Sequence, residues 1–219
     1  MKHIIIYTDG SAIPSQAFNV SGKKTKRYPI GWGGVLIHDD QISEFTEGQL
    51  VSKKYLHKFE HIAFVRAIKH AISLGYTPNQ MTFYVDYSVI ADSPSRIRPE
   101  NHHPPEVLSK MKSLYRDINE FLKYEEEFIE TIMECFKTSR IVKVKSHGSC
   151  VYNNRADYLA KLGRQRISPN RAQPVSFVDV ERWIHGIADY FCDHVLEKPK
   201  QTLSREDGHP VRFGRIVIG

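Results

Sequence analysis

The order in which strand-like and helix-like patterns follow one another constrains the fold of this chain more than any other feature. Runs rich in β-branched and aromatic residues are typical of strands, and apolar residues at three- and four-residue steps are typical of helices. The predicted strands are residues 4–9, 35–37, 42–48, 82–85 and 140–145. The predicted helices are residues 55–74, 106–136 (one helix or two) and 154–164. A meander followed by alternating helices and strands predicts an α/β chain with a mixed sheet.

Length, charge and cysteine content limit the classes of protein to which this chain can belong. The chain has 219 residues, enough for one domain or for one domain with an appendage. Its net charge of +6 favours polyanionic partners such as nucleic acids. The three cysteines are too scattered for a disulfide framework, and no apolar stretch reaches the length of a membrane span. Since the N-terminus has no signal-peptide pattern, we expect a cytoplasmic protein that binds no membrane.

Four acidic residues stand where carboxylates could share one site. Asp9 and Asp86 each follow an apolar strand-like run, Glu60 shares the apolar stripe of its helix, and Asp157 lies at the start of the last core helix. Each residue also has an ordinary structural interpretation. The aspartates that follow strands could be turn residues, Glu60 could reach solvent at the edge of its stripe, and Asp157 could interact only with the helix dipole. Grouped together, the four would oppose one another's ionisation and need cations. Their oxygen ligands suit Mg²⁺ or Mn²⁺, and two such ions suit phosphodiester cleavage.

Six short motifs surround these residues in a fixed order. They are Y-T-D-G-S at 7–11, G-W-G at 31–33, E-x-x-A-x-x-x-A at 60–67, a strand ending in Asp86, V-K-x-H-G at 144–148 and N-x-x-x-D at 153–157. This ordered set resembles the type 1 ribonuclease H family across residues 1–165. The resemblance implies an RNase H-like nuclease domain at 1–165, with an α/β fold in which helices flank a central five-stranded mixed sheet.

The resemblance also implies a role for each motif residue. The catalytic, metal-binding carboxylates would be Asp9, Glu60, Asp86 and Asp157, holding two Mg²⁺ or Mn²⁺ ions. His147 would also be catalytic, assisting proton movement and product release. The substrate-binding residues would be Gly10, Ser11 and Asn153. The implied activity is endonucleolytic cleavage of the RNA strand of an RNA/DNA hybrid, leaving 3′-hydroxyl and 5′-phosphate ends.

Departures from the family pattern leave the substrate open. The long loop after Ser11 carries a basic cluster that either grips a nucleic-acid backbone or is simply solvated: Lys23, Lys24, Lys26 and Arg27. An acidic run at 125–130 stands where many family members carry a basic protrusion, and it would repel phosphate if it faced the substrate. The alternatives are a nuclease of the same fold that acts on DNA or double-stranded RNA, and a non-catalytic nucleic-acid-binding module.

Residues 166–219 lie beyond the resemblance and form a predicted C-terminal extension. An amphipathic helix is predicted at about 178–196, with apolar residues on one stripe. We expect this helix to pack on the core of the domain. The alternative is that it binds a partner protein or a second copy of the chain.

One rival pattern overlaps the second carboxylate. Residues 57–61 fit H-x-x-E-H, in which His57 and His61 would share a helix face and bind Zn²⁺, with Glu60 as a base. This pattern predicts a zinc metalloprotease instead of a nuclease. No third zinc ligand with supporting context is visible in the sequence.

Overall fold

A central mixed sheet organises the part of the chain that the structure describes. The structure is a computed structural model, and it describes residues 2–15, 17–19, 26–38, 41–97 and 105–167. The strands are β1 (Ile4–Ala12), β2 (Phe18–Asn19), β3 (Lys26–His38), β4 (Gln41–Val51), β5 (Met81–Val85) and β6 (Arg140–Lys143). The sheet has the order β4–β3–β1–β5–β6, and the two-residue β2 pairs with the start of β3. Strand β3 runs antiparallel to β1 and β4, whereas β5 and β6 run parallel to β1.

The first strand is longer than the sequence predicts. Strand β1 continues to Ala12 instead of ending at the predicted residue 9. The reason is the length of β3, which supplies a pairing partner for every residue of β1 from Ile4 to Ala12. The predicted loop after β1 is also shorter than expected, because Lys26 and Arg27 already belong to β3. Lys23 and Lys24 of the basic cluster lie outside the described residues.

Two of the three predicted helical regions divide at a local break, and the third is one helix that extends beyond both predicted ends. Within the described ranges the helices are α1 (Lys53–Leu56), α2 (Phe59–Ser73), α3 (Ser88–Ala91), α4 (Ser93–Ile97), α5 (Pro105–Leu122), α6 (Phe128–Thr138) and α7 (Val151–Ile167). The single helix predicted at 55–74 is wrong, because Lys58 N–H donates to the Tyr55 carbonyl and closes α1 after one turn. The region 106–136 is two helices, and α5 ends where Lys123 adopts a left-handed φ of 57°.

An aromatic core joins the sheet to three helices on one of its faces. The Phe64 ring of α2 lies 4.8 Å from Phe83 of β5 and 5.1 Å from Phe136 of α6, and Tyr115 of α5 lies 5.3 Å from Phe136. All four side chains are buried. Truncating one such aromatic residue to alanine typically costs about 3–5 kcal/mol. Helix α2 is therefore firmly fixed against β1 and β5.

Helix α7 packs on the opposite face of the sheet through an unusually close approach. Successive residues of a strand face opposite sides of the sheet. Trp32 faces α2, where Arg66 lies over its ring, so Gly33 faces the other side of the sheet. A Cβ atom at Gly33 would lie 2.6 Å from the backbone nitrogen of Ala160 in α7. Further glycines make the same close contact between β3, β4 and α7: Gly31, Gly48 and Gly163. The G-W-G motif thus allows α7 to lie directly on the sheet.

The predicted C-terminal extension lies outside the described residues, apart from Arg166 and Ile167, which end α7. The helix predicted at 178–196, its packing and its partner therefore stay predictions. Among the described helices, none is both long and apolar enough to cross a membrane.

Candidate metal centre

The register of two parallel strands brings the first and third predicted carboxylates side by side. Tyr7 of β1 pairs with Tyr84 of β5, and each predicted aspartate follows two residues later, as Asp9 and Asp86. Asp9 is buried within β1, whereas Asp86 is half-buried just after β5 ends. The carboxyl-terminal half of β1 and the carboxyl end of β5 therefore form one edge of the site, as expected for a sheet of this class.

Gly10 joins the second carboxylate to the first. Its backbone N–H donates to Asp9 Oδ1 at 2.7 Å and to Glu60 Oε2 at 3.1 Å. Glu60 lies in the first turn of α2. A Cβ atom on Gly10 would lie 2.7 Å from the backbone of Phe59, so only glycine lets α2 begin this close to β1. As a result Asp9, Glu60 and Asp86 each offer an oxygen within 4.8 Å of the others.

This carboxylate triad, Asp9, Glu60 and Asp86, is electrostatically unfavourable without a cation. Burial, together with the negative charges of Asp86 and Asp157, raises the pKa of Asp9 from 3.8 to about 7. Burial also raises the pKa of Glu60 from 4.5 to about 9, together with the charges of Asp9 and Asp86. The triad therefore resists full ionisation at neutral pH. A divalent cation would remove that repulsion.

The donor set of the triad fits a hard divalent cation. All three ligands are carboxylate oxygens from three separate elements, β1, α2 and the residue after β5. Mg²⁺ and Mn²⁺ prefer such oxygen donors and are commonly held by a few carboxylates with retained waters.

The fourth predicted carboxylate is near the triad but has a different partner. Asp157 of α7 is close enough to raise the pKa of Asp9, yet it is not among the three residues whose oxygens converge. Its Oδ2 accepts a hydrogen bond from Lys161 Nζ at 2.6 Å. The Asp157 side chain is only 18% exposed. The structure thus separates the four predicted carboxylates into a triad and one residue in an ion pair.

His147 lies beside Asp157, in the loop between β6 and α7. Its Nδ1 is 3.9 Å from Asp157 Oδ2, and its side chain is 73% exposed. His147 has a left-handed φ of 50°, which is uncommon for a residue other than glycine. This position gives the imidazole access both to Asp157 and to solvent. A group so placed is able to exchange protons at the rim of the site.

The three predicted substrate-binding residues are less accessible than the sequence indicates. Gly10 and Ser11 lie in β1, beyond the end of the predicted strand, and the Ser11 hydroxyl accepts a hydrogen bond from Arg164 Nη1 at 2.8 Å. Asn153 lies within α7 instead of the preceding loop, and it is buried with no partner for its Oδ1 atom. Its exposed neighbour Asn154 donates to the Gly148 carbonyl at 2.9 Å. Their predicted contacts with substrate stay predictions.

The zinc pattern does not assemble. His57 is exposed and follows α1, whereas Glu60 and His61 belong to α2, so the two histidines do not share one helix face. His61 is buried, and its Nδ1 lies 3.0 Å from the Tyr115 hydroxyl. Burial lowers the pKa of His61 to about 4. The metal-capable group found in the described ranges contains only carboxylates.

Two residues near the site were missed at the level of sequence. Lys161 follows Asp157 by four residues, a spacing that places both side chains on one helix face and could have been recognised. Arg164 reaches Ser11 across 153 residues of chain, and no local pattern predicts such a contact.

No family model and no curated protein matches the sequence. Similar solved structures include an RNase H1 from the halophilic archaeon Halobacterium salinarum NRC-1, 17% identical, with a TM-score of 0.43 and coverage of 74% of this chain and 96% of that one. LC11-RNase H1 in complex with an RNA/DNA hybrid is 18% identical, with a TM-score of 0.43 and coverage of 74% and 97%. A foamy viral protease-reverse transcriptase in complex with an RNA/DNA hybrid is 15% identical, with a TM-score of 0.44 and coverage of 76% and 20%.

The arrangement of elements identifies the fold. Strand β3 alone runs opposite to the other four strands of the order β4–β3–β1–β5–β6. Helices α2 and α7 lie on opposite faces, and the carboxylates gather beside the carboxyl-terminal half of β1 and the end of β5. The predicted α/β class, with a five-stranded mixed sheet flanked by helices, is confirmed, and the described part of the chain has an RNase H-like fold.

Proposed function

We propose that this protein is a divalent-metal-dependent nuclease that cleaves the RNA strand of RNA/DNA hybrids. The convergence of three carboxylates from three elements within 4.8 Å carries the proposal. A structural role does not account for this group, because burial and mutual repulsion raise the pKa of both Asp9 and Glu60. Such an arrangement is costly in a folded protein unless a cation binds to it.

The chain's own residues would divide the work of the reaction. Asp9, Glu60 and Asp86 would hold one divalent ion, and Asp157 would complete the coordination of a second. Bound in this way, the ions would supply activation of the attacking water and stabilisation of the leaving oxygen, giving 3′-hydroxyl and 5′-phosphate ends. His147, exposed beside Asp157, would take a proton from the reacting groups and pass it to solvent.

Charge at the rim of the site supports a polyanionic substrate. Lys143, Lys145 and His147 are exposed on or just after β6, the strand next to Asp86 in the sheet. Lys143 Nζ also donates to the backbone carbonyl oxygen of Asp86 at 3.3 Å, which holds the Lys143 ammonium group beside the triad. Phosphate contacts of this kind would make affinity fall as salt concentration rises.

The acidic run at 125–130 is no obstacle to such a substrate. Three of its carboxylates are paired with basic residues of neighbouring helices: Glu125 with Lys69, Glu126 with Arg116, and Glu130 with Lys112. The run is therefore largely neutralised instead of presenting a free negative face. These pairs are exposed, so each is worth little to stability.

A nuclease of the same fold that acts on another nucleic acid is the second candidate. Ser11 and Asn153, which would contact the RNA strand by family resemblance, are respectively bonded to Arg164 and buried. Selection of RNA depends on contacts to its 2′-hydroxyl groups in the shallow groove. Because the predicted contacts of Ser11 and Asn153 with substrate stay predictions, DNA or double-stranded RNA is the alternative substrate.

A cleavage assay on end-labelled substrates separates these candidates. The substrates are an RNA/DNA hybrid, double-stranded RNA, double-stranded DNA and single-stranded RNA, each tested with Mg²⁺, Mn²⁺ or chelator. We expect metal-dependent cutting of only the RNA strand of the hybrid, lost in Asp9→Asn and retained in Asp92→Asn, an exposed aspartate outside the triad. Cutting of another substrate supports the second candidate, and full activity of Asp9→Asn refutes the metal centre.

A further inference from the structure

Asp157 is engaged by a cation that belongs to its own helix. Lys161 lies one turn further along α7, and its Nζ donates to Asp157 Oδ2 at 2.6 Å. The carboxylate is mostly shielded, with 18% of its side chain exposed, whereas the Lys161 side chain is 46% exposed. The same Oδ2 atom faces His147 Nδ1 at 3.9 Å. One of the two carboxylate oxygens of Asp157 is therefore already bonded to an ammonium group.

The other basic residues of α7 near this point have different partners. Arg155 donates from Nε and Nη2 to the two carboxylate oxygens of Glu44, at 2.8 and 2.7 Å. Arg164 donates to the Ser11 hydroxyl at 2.8 Å. The negative charge of Asp157 also acts on Arg164, whereas Lys161 donates a hydrogen bond directly to Asp157. An ordinary helix-surface pair with a spacing of four residues is common, but here its acidic partner borders the carboxylate triad.

We propose that Lys161 is a positioning residue whose ammonium group is the internal counter-ion of Asp157. This ammonium group must be displaced before a second divalent ion binds to Asp157. The proposal rests on the proposed nuclease function and adds a device that sets its metal requirement. At low metal concentration the ammonium group occupies Asp157 and only the triad binds an ion. At higher concentration the second ion replaces the ammonium group, and Lys161 turns to solvent or to a substrate phosphate.

Removal of the ammonium group should therefore strengthen metal binding in the free protein. In Lys161→Met, we expect the second Mn²⁺ ion to bind at roughly tenfold lower concentration, the effect of one unit charge on a divalent ion a few ångströms away in a water-like dielectric. Cleavage should become half-maximal at a correspondingly lower metal concentration. Lys161→Gln should behave in the same way, whereas Lys161→Arg should keep the wild-type metal dependence because its charge is retained.

The experiment is a Mn²⁺ titration of the full chain without nucleic acid, with unbound Mn²⁺ counted by its electron paramagnetic resonance signal. The matched control is Lys137→Met, since Lys137 is 43% exposed and pairs with Glu134 of its own helix at 3.7 Å, away from the triad. Equal Mn²⁺ affinity in Lys161→Met, Lys161→Gln and Lys137→Met overturns the role of Lys161 while the nuclease function stands. A wild-type chain that neither binds Mn²⁺ nor cleaves any substrate overturns the nuclease function and this role with it.

Discussion

The substitution Glu60→Gln tests whether the carboxylate triad is destabilising in the absence of metal. Because burial raises the pKa of Glu60 to about 9, the folded protein keeps a proton on this group that the unfolded chain, with a pKa of 4.5, releases. The folded state therefore binds more protons than the unfolded state between those two values, and its stability falls as pH rises through this range. Because glutamine does not titrate, Glu60→Gln should remove this loss of stability at higher pH.

The size of the expected stabilisation follows from the difference between the pKa of Glu60 in the unfolded chain, 4.5, and the pH of the measurement. From 4.5 to pH 7 each pH unit costs about 1.36 kcal/mol, so Glu60→Gln should stabilise the metal-free protein by about 3 kcal/mol at pH 7. The amide oxygen of glutamine still accepts the hydrogen bond that Glu60 Oε2 receives from Gly10, so no backbone donor loses its partner. Below pH 4.5 the gain should vanish, because Glu60 is then mostly protonated in the unfolded as well as in the folded state.

Urea denaturation in the presence of EDTA, at pH 5, 6, 7 and 8, measures this gain directly. Glu130→Gln is the control, because Lys112 lowers the pKa of Glu130 and neutralising it should cost stability at pH 7 instead of adding it. Added Mn²⁺ should narrow the difference between wild type and Glu60→Gln, since only the wild type has the full set of ligands. A Glu60→Gln variant that is less stable than wild type at pH 7, or equally different at pH 5 and 8, refutes the electrostatic argument.

Three further predictions test other parts of the site. Asp86→Asn should keep the far-UV circular dichroism of the wild type but lower hybrid cleavage by roughly 1,000-fold or more, because a metal ligand is lost; near-normal turnover contradicts the metal assignment. His147→Ala should slow turnover by only roughly 100-fold in single-turnover assays, the scale of one proton-transfer group, and a loss equal to that of Asp86→Asn would indicate a metal or structural role. Gly33→Ala should lower the free energy of unfolding by about 1–3 kcal/mol, because its Cβ would collide with Ala160; unchanged stability in urea would show that α7 can move away.

The sequence could predict the triad because its three members follow from local patterns. Asp86 comes directly after an apolar strand-like run, Asp9 follows such a run with only Thr8 between, and Glu60 shares the apolar stripe of its helix. Parallel pairing of β1 with β5 and the packing of α2 on β1 then bring these positions together. Strand ends and helix faces are short-range features, so local periodicity is enough to identify them.

Other features depend on contacts that local patterns cannot reveal. The stretch Thr8–Ser11 has the composition of a turn, yet it is a strand because β3 pairs with it along its whole length. Gly10 is explained by the approach of Phe59, and Gly33 by the approach of Ala160, which lie 49 and 127 residues away along the chain. Tertiary packing overrides local preference at these positions. The same limit applies to Arg164, whose contact with Ser11 no local motif predicts.

The proposed site is built from two parts that depend on different packing. The triad rests on β1, β5 and α2, which the aromatic core around Phe64 fixes on one face of the sheet. Asp157 rests on α7, which the backbone contacts at Gly33 fix on the other face. A change that moves α7 should therefore alter the position of Asp157 and Lys161 while leaving the three converging oxygens in place. For this reason Gly33→Ala should weaken binding of the second metal ion far more than binding of the first, although Gly33 is not itself a ligand.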